Sequence, residues 1–580
     1  MANFVVVDAI PSNDFVAGLT TEPNNPKPVK WETGATLKYY FDDTGARAWS
    51  DAEKTQAAAA FAEWSNVANI DFALTTDRAQ ADFIQTLNES ETVLGETTAP
   101  ADGVNPPTIF YSVTGTNFDN ITPGGNTFAT MVHEIGHAIG LYHPHSGKPF
   151  PGVTVGQDQE KGTDNLNQQI WTVMSYVAGW DGQQNTGPSF GEAAGAMTFD
   201  IAAAQMLYGA RDAQTGDNIY TLATANQVGT GWDAIWDTGG TDTITGAGSN
   251  DAMTIDLRAA TLEGANAGGH VSWIGGIQGG FTIAQNVVIE NAIGGNGADT
   301  IIGNSAANGL TGNGGNDTLD GGAGTDTAIY AGEAKKFSLT ITKGAATTVQ
   351  DRTGAEGTDS LTAVEKIDFQ TGTKDVNLDA IDGVVNVSSA DLSAFIEMYI
   401  AYFNRAPDAE GLFYWGTRLS EGMGKEQIAK SFYVQPETQA LYTNPDDTEG
   451  FVTAVYNNFL GRAPDAEGFA YWVNQLNTEA VSKPIFLLAI INGAKAATGS
   501  QTDVDYFTNK ANIGAYYSVI KGMSNVDNAK AAMALYDGTA GSITAAKNAI
   551  DAYHTAALDA NNGELLIHLV GVMDDPFAVA

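Results

Sequence analysis

Four of the chain's seven histidines, His133, His137, His143 and His145, fall inside one short window. His133 and His137 are four positions apart in the helix-like segment TFATMVHEIGHAIGLYH. Four residues is just over one helical turn, so both imidazoles project from one face and can share a metal ion. Gly140 follows; glycine takes the left-handed conformations that end helices, and the chain can then swing back to deliver His143 to the same ion. Three neutral imidazoles leave one position of a tetrahedral Zn²⁺ open for water, the arrangement of a catalytic rather than a closed structural site. Zinc so held lowers the pKa of water towards ~7 and polarises a carbonyl. Glu134, adjacent to His133 and not needed as a ligand, can take the water's proton and pass it to a leaving amine. The expected chemistry is hydrolysis of a peptide bond. His145 lies outside the spacing and reads as a surface or neighbouring residue.

Several elements must position these groups. TLKYYF and ADFIQTL alternate as strands do. DAEKTQAAAAFAEWSNVA has a helical apolar face of Ala60, Phe61, Trp64 and Val67. MTFDIAAAQMLYGA is a further helix candidate. This predicts an α+β domain around the histidines.

A chain of 580 residues is too long for one core and implies three or four domains. Its net charge of −41 argues against nucleic acid and anionic membranes as partners. The chain has no cysteine, so any stability outside the cell must come from burial or metals. MANFVVVDAIPSNDF has no basic leader region and does not read as a signal peptide, and no apolar run is long enough to span a bilayer. Composition shifts place boundaries near 30, 225 and 384. Residues 1–30, ending in TEPNNPKP, read as an extended arm or a pro-segment that could lie in the cleft. Residues 31–225 read as the catalytic domain, 226–383 as a Gly/Asp-rich repeat with its cap, and 384–580 as an all-α domain.

Four nonapeptides run from 294 to 329 in one frame: GGNGADTII, GNSAANGLT, GNGGNDTLD and GGAGTDTAI. Glycines such as Gly294, Gly297, Gly312, Gly314 and Gly321 allow tight turns with inward carbonyls. The sixth residue of each unit, Asp299, Asn308, Asp317 or Asp326, supplies a side-chain oxygen, and the following apolar residue forms a short strand. Each unit is half a coil of a parallel β-roll, and Ca²⁺ between stacked turns would take the carbonyls and carboxylates. Asn308 and Ala306 depart from the pattern and predict a weaker site.

HEIGHAIGLYHP resembles the metzincin signature, and TVMSY at 172–176 resembles its Met-turn. Pro144 and Tyr176 mark a resemblance to the serralysin branch, covering roughly residues 31–380. The resemblance implies that Met174 forms an apolar floor under the zinc and that Tyr176 stabilises the oxyanion. It also implies that Asp242 in WDTGGTDTI and Glu290 in VIENAIGG are further calcium ligands. The nonapeptides resemble the RTX repeats of proteins exported without a signal peptide and folded outside the cell by Ca²⁺, and the segment from SLTITK to KIDF resembles the cap of such rolls.

The region from 384 onward repeats RAPDAEG…YW at Arg405 and Arg462 and resembles a helical repeat of unknown function appended to secreted or surface-layer proteins. Arg405 and Arg462 should pair with Asp408 and Asp465, with Trp415 and Trp472 in the core. The functional reading is a surface-targeting module with a cell-surface or surface-layer partner. The leading expectation is a secreted, calcium-dependent zinc endopeptidase of serralysin type. The alternative is a non-catalytic, calcium-dependent surface-layer or adhesion protein with a vestigial or self-inhibited protease domain.

Overall fold

The computed structural model describes residues 3–9, 11–22, 27–98, 106–115, 118–181, 189–372, 374–442, 447–496 and 499–578. Part of the TEPNNPKP stretch therefore lies outside the described residues. Residues 1–313 with 320–324 form one compact unit; residues 314–319 with 325–580 form a second.

The first unit begins with a sheet in which Asp71–Leu74, Thr36–Asp42, Phe83–Asn88 and Thr108–Ser112 run parallel, and Gly95–Thr97 closes the edge antiparallel to Thr108–Ser112. The alternation of Thr36–Asp42 buries Leu37, Tyr39 and Phe41. Tyr39 stacks on Phe61 at 4.3 Å, which fixes the helix Asp51–Val67 on the sheet. That helix starts in a capping box between Ser50 and Glu53. Its Trp64 is fully buried, and the indole Nε1 donates to the carbonyl of Val132 at 3.1 Å, joining it to the helix Asn126–Ala138. Near the start of the chain, Asp14–Thr20 is a helix with all but its first residue buried. Phe15 stacks on Phe199 of the helix Thr198–Tyr208 at 4.4 Å.

The nonapeptides form very short parallel strands. Asn291–Ile293 pairs with Gly309–Thr311, an offset of 18 residues, so two nonapeptides make one coil. Thr243–Thr245 continues the same sheet, and Met253–Asp256 pairs with Thr300–Ile302 in the other. The inward positions step by nine: Ala292, Ile301, Leu310, Leu319 and Ala328 are each 0% exposed. Close stacking requires the glycines, because a Cβ on Gly294 would lie 2.7 Å from the carbonyl oxygen of Gly312.

In the second unit, Phe337–Thr342, Thr347–Asp351 and Thr358–Thr362 form an antiparallel meander. Leu566–Val570 returns from the end of the chain and pairs parallel to Phe337–Thr342. The region between is helical, beginning with Ser389–Phe403 and Ala409–Ser420. Asp408 caps Ala409–Ser420 and Asp465 caps Ala466–Asn477. Arg405 lies 3.1 Å from Asp408 and Arg462 lies 3.6 Å from Asp465. Each arginine also reaches a distant acid, Glu437 at 3.0 Å for Arg405 and Asp503 at 2.6 Å for Arg462. Trp415 and Trp472 are half-buried rather than core residues; each packs edge-on against one phenylalanine, Phe432 or Phe486. Among the described residues no helix is long and apolar enough to cross a membrane.

Candidate metal centre

The helix Asn126–Ala138 carries His133, Glu134 and His137. Gly140, at φ +107°, turns the chain beyond its end. A Cβ there would strike the carbonyl of Val29, so both conformation and space call for glycine. The turn brings Nε2 of His143 to 3.0 Å from Nε2 of His133 and 2.9 Å from Nε2 of His137.

Backbone carbonyls set the ring orientations. His133 Nδ1 donates to the carbonyl of Val173 and His137 Nδ1 to that of Leu141, each at 2.8 Å. A ring whose Nδ1 carries the proton presents a lone pair at Nε2. The lone pairs of His133 and His137 thus converge with His143 on one point. Burial, reinforced by neighbouring imidazoles, pushes the ligands far below the usual imidazole range, His133 to about 3 and His137 to about 4. Neutral nitrogens turned toward one another need a cation between them, and three imidazoles in this geometry fit Zn²⁺.

The floor of the site is the turn around Met174. Met174 is fully buried, and its sulfur lies against Gly136. This turn is held by Asp200, which the sequence reading missed. Asp200 accepts from Thr172 Oγ1 at 2.6 Å, from the Val173 N–H at 2.6 Å and from the Met197 N–H at 2.9 Å. Since Val173 also orients His133, the buried carboxyl acts on the metal ligand through one residue. Its place three residues into a helix suggested only an N-terminal charge.

Glu134 is buried beside the edge strand. Thr97 Oγ1 donates to Glu134 Oε2 at 2.7 Å. A Cβ on Gly95 would lie 2.8 Å from Glu134 Oε1, so that glycine makes room for the carboxyl. Burial raises the Glu134 pKa to about 8, and the Thr97 hydroxyl works against that rise. Neither Thr97 nor Gly95 carries any signal in the sequence. Tyr176 is partly exposed, with its ring 4.7 Å from that of His143 and 5.7 Å from that of His133. Burial and the nearby Glu134 and Asp158 raise its pKa to about 12, so the phenol keeps its proton. His145, outside the ligand spacing, stacks parallel on His143 at 4.9 Å.

Of the side chains expected to bind calcium, Asp299, Asn308, Asp317 and Asp326 lie at the turns of the repeat, and Asp242 and Glu290 precede it. Asp299 accepts from the Met253 N–H at 3.0 Å and from the Gly295 N–H at 2.6 Å. Asn308 accepts from the Asn304 N–H at 2.8 Å and donates to the Glu290 carbonyl at 2.9 Å. Glu290 accepts from the Asp242 N–H at 2.8 Å, and Asp242 from the Asn218 N–H at 2.8 Å. Asp242 Oδ2 is buried with no hydrogen-bond partner, which suits a hard cation. In the second unit, the N–H groups of Asp317 and Asp326 donate to Asp359 at 2.8 Å and Glu365 at 2.6 Å. Gly294, Gly297, Gly312, Gly314 and Gly321 all fall in the turns between strands.

Residues 30–161 match the Matrixin family model. Residues 198–400 match the model described as Peptidase M10 serralysin C terminal, and residues 429–499 match a domain of unknown function. A serralysin of Proteus mirabilis is 39% identical over 199 residues, covering 31% of this chain and 37% of the relative. Serralysin C of Dickeya chrysanthemi is 33% identical over 288 residues, covering 45% and 55%. A serralysin of Photorhabdus luminescens is 33% identical over 272 residues, covering 44% and 53%. The chain therefore spans about half or less of the length of these relatives. Zn²⁺ at the histidine triad and Ca²⁺ at the glycine-rich turns are the ions this combination of segments implies. With a matrixin-like segment followed by a segment like the serralysin C terminus, residues 30–161 and 198–400 are similar to serralysin-type metzincins, and a helical region follows them.

Proposed function

We propose that the protein is a secreted, calcium-dependent zinc endopeptidase acting on extracellular or surface proteins. The observation that carries this reading is the convergence of three neutral imidazoles beside a buried carboxyl. His133, His137 and His143 would hold Zn²⁺, which supplies Lewis acidity and a water of lowered pKa. Glu134 takes the proton of the attacking water and gives it to the leaving amine. The protonated Tyr176 donates to the oxygen on which negative charge develops. Thr97 keeps the Glu134 carboxylate aimed, and Asp200 keeps the Met174 turn, and through Val173 the His133 ring, in place.

Asp299, Asn308, Asp317, Asp326, Asp242 and Glu290 are assigned to Ca²⁺ together with carbonyls of the glycine turns. In this reading the roll folds once the chain meets Ca²⁺ outside the cell, after export without a signal peptide. Residues 384–580 are assigned to a cell-surface or surface-layer partner. The helix Asp14–Thr20 is buried against Thr198–Tyr208, which supports a packing role for that part of the first thirty residues rather than a pro-segment in the cleft.

The test is cleavage of casein with zinc and Ca²⁺ supplied, with and without a zinc chelator, alongside Glu134→Gln. The reading predicts loss of cleavage on chelation and in the variant, with zinc content of the variant retained. Absence of cleavage by the wild-type protein under these conditions overturns it.

A further inference from the structure

A cavity of about 340 Å³ opens beside the metal centre, lined in part by Gly95, Ala129, His133, Glu134, Tyr176 and Glu192. Glu134 delivers its proton to the leaving amine in the proposed reaction. The substrate residue that follows the scissile bond must therefore lie on the Glu134 side of the triad. On that side the opening next to the carboxyl is this cavity, lined by Gly95, where a Cβ would lie 2.8 Å from Glu134 Oε1.

The walls suit a long aliphatic stem. Val93, Leu94, Ala129, Val173 and Ala178 all contribute to them. The one acidic group in the lining besides Glu134 is Glu192, which is buried. Glu192 is fixed by its backbone: its N–H donates to the carbonyl of Gly124 at 3.0 Å, and its carbonyl accepts from the Trp232 N–H at 3.0 Å. Its side chain bonds Gln169, another residue of the same lining. Among the described residues no lysine, arginine or histidine forms an ion pair with it. A buried carboxylate without a cation is costly, and a ligand ammonium or guanidinium that reaches it restores the balance.

We propose that Glu192 makes this cavity select a cationic side chain, lysine or arginine, at the substrate position immediately after the scissile bond. The inference rests on the peptidase reading. The methylene stem lies along the apolar wall while the charged head meets the carboxylate, as amphipathic side chains do. Burial holds the Glu192 pKa up at about 7, and a cation in the cavity favours its ionised form. The chain's net charge of −41 adds a long-range field that concentrates basic peptides around the molecule.

The experiment uses the full chain with zinc and Ca²⁺ and a set of peptides identical except after the cleaved bond, where they carry lysine, arginine, norleucine or glutamate. Two readouts run in parallel. The first is the ratio of kcat/KM values across the set for the wild type and for Glu192→Gln. The second is binding of the same peptides, by fluorescence anisotropy, to Glu134→Gln and to the double variant Glu134→Gln/Glu192→Gln. The proposal expects lysine and arginine to be preferred over norleucine at least tenfold in both readouts, with glutamate worst. It expects that preference to collapse towards unity when Glu192 is glutamine. Ratios within one protein are insensitive to partial misfolding. Equal use of lysine and norleucine, or a basic preference that survives Glu192→Gln, overturns the proposal. If no peptide is cleaved, the peptidase reading fails, and the binding arm still decides the selectivity of the cavity.

Discussion

The Cβ that Gly136 lacks would lie 2.7 Å from the sulfur of Met174 and 3.0 Å from Cζ2 of Trp64. Neither neighbour can withdraw cheaply. Met174 is fully buried, and Trp64 is buried and tied to the Val132 carbonyl. The helix that carries the ligands thus approaches its floor as closely as a glycine permits. Gly136→Ala should force the Met174 turn away and, through Val173, rotate His133. Overpacking of this kind costs about 1–3 kcal/mol, and loss of a ligand's orienting partner weakens metal binding about 10–100-fold. Competition with a chromogenic chelator reads the second quantity directly. Unchanged zinc affinity in Gly136→Ala would show that the turn does not position His133.

Thr97 does not line the cavity beside the metal centre, yet its hydroxyl lies 2.7 Å from Glu134 Oε2 and 3.0 Å from the Glu134 carbonyl oxygen, and the shorter contact is to the carboxyl. Burial works against the ionised form of Glu134, which is the form that accepts a proton, and the Thr97 hydroxyl favours it; a hydrogen bond to an ionised group is worth roughly 1.5–3 kcal/mol. Thr97→Val keeps the shape of the side chain and removes the donor. We expect kcat to fall about tenfold or more, with KM and zinc content nearly unchanged, and Thr97→Ser to restore most of the loss. A change in KM alone would assign Thr97 to substrate binding instead.

The calcium reading turns on Asp242. Burial raises its pKa, with nearby Asp237, Glu290 and Asp217 adding to the rise. One of its oxygens has no hydrogen-bond partner. Such a cluster repels itself until a cation enters. Titration of the calcium-free protein with Ca²⁺, followed by circular dichroism, should show a cooperative gain of β signal. Asp242→Asn should move the midpoint to higher Ca²⁺ by about tenfold, the equivalent of ~1.4 kcal/mol. A β signal already complete in excess chelator would remove calcium from the account of this fold.

What could be read from the chain in advance followed from periodicity. Histidines four apart must share a helical face, and nonapeptides must repeat their inward residue every nine positions, as the fully buried series from Ala292 to Ala328 does. Groups that meet only through tertiary folding left no such trace. Asp200 reaches Thr172 from 28 positions away and Thr97 reaches Glu134 from 37. Glu192 lines the cavity from a backbone held between Gly124 and Trp232, 68 and 40 positions away. The helical repeat illustrates the same limit. The local pair Arg405–Asp408 follows from an i,i+3 spacing, whereas the bond from Arg405 to Glu437 spans 32 positions. Trp415 and Trp472 suggested core positions by size alone, but each is only half-buried.

Lys510 provides a test of the helical region that is independent of the metal centre. It sits in the helix Gln501–Ala515, almost fully buried. Its ammonium donates to the Asn458 carbonyl at 2.7 Å and to Asn404 Oδ1 at 3.3 Å, and no carboxylate pairs with it among the described residues. Burial therefore lowers its pKa from 10.5 to about 8. The folded protein then binds fewer protons than the unfolded chain between those two values. Stability must rise with pH across that window, and below about pH 8 the buried charge carries its full cost. The gain is on the order of 2–3 kcal/mol. Denaturant midpoints of the full chain, measured at constant Ca²⁺ from pH 7.5 to 10, should climb in the wild type relative to Lys510→Met, which has no charge to lose. Parallel profiles for the two proteins would mean that Lys510 reaches water, and that the carbonyl and amide oxygens around it do not close the site.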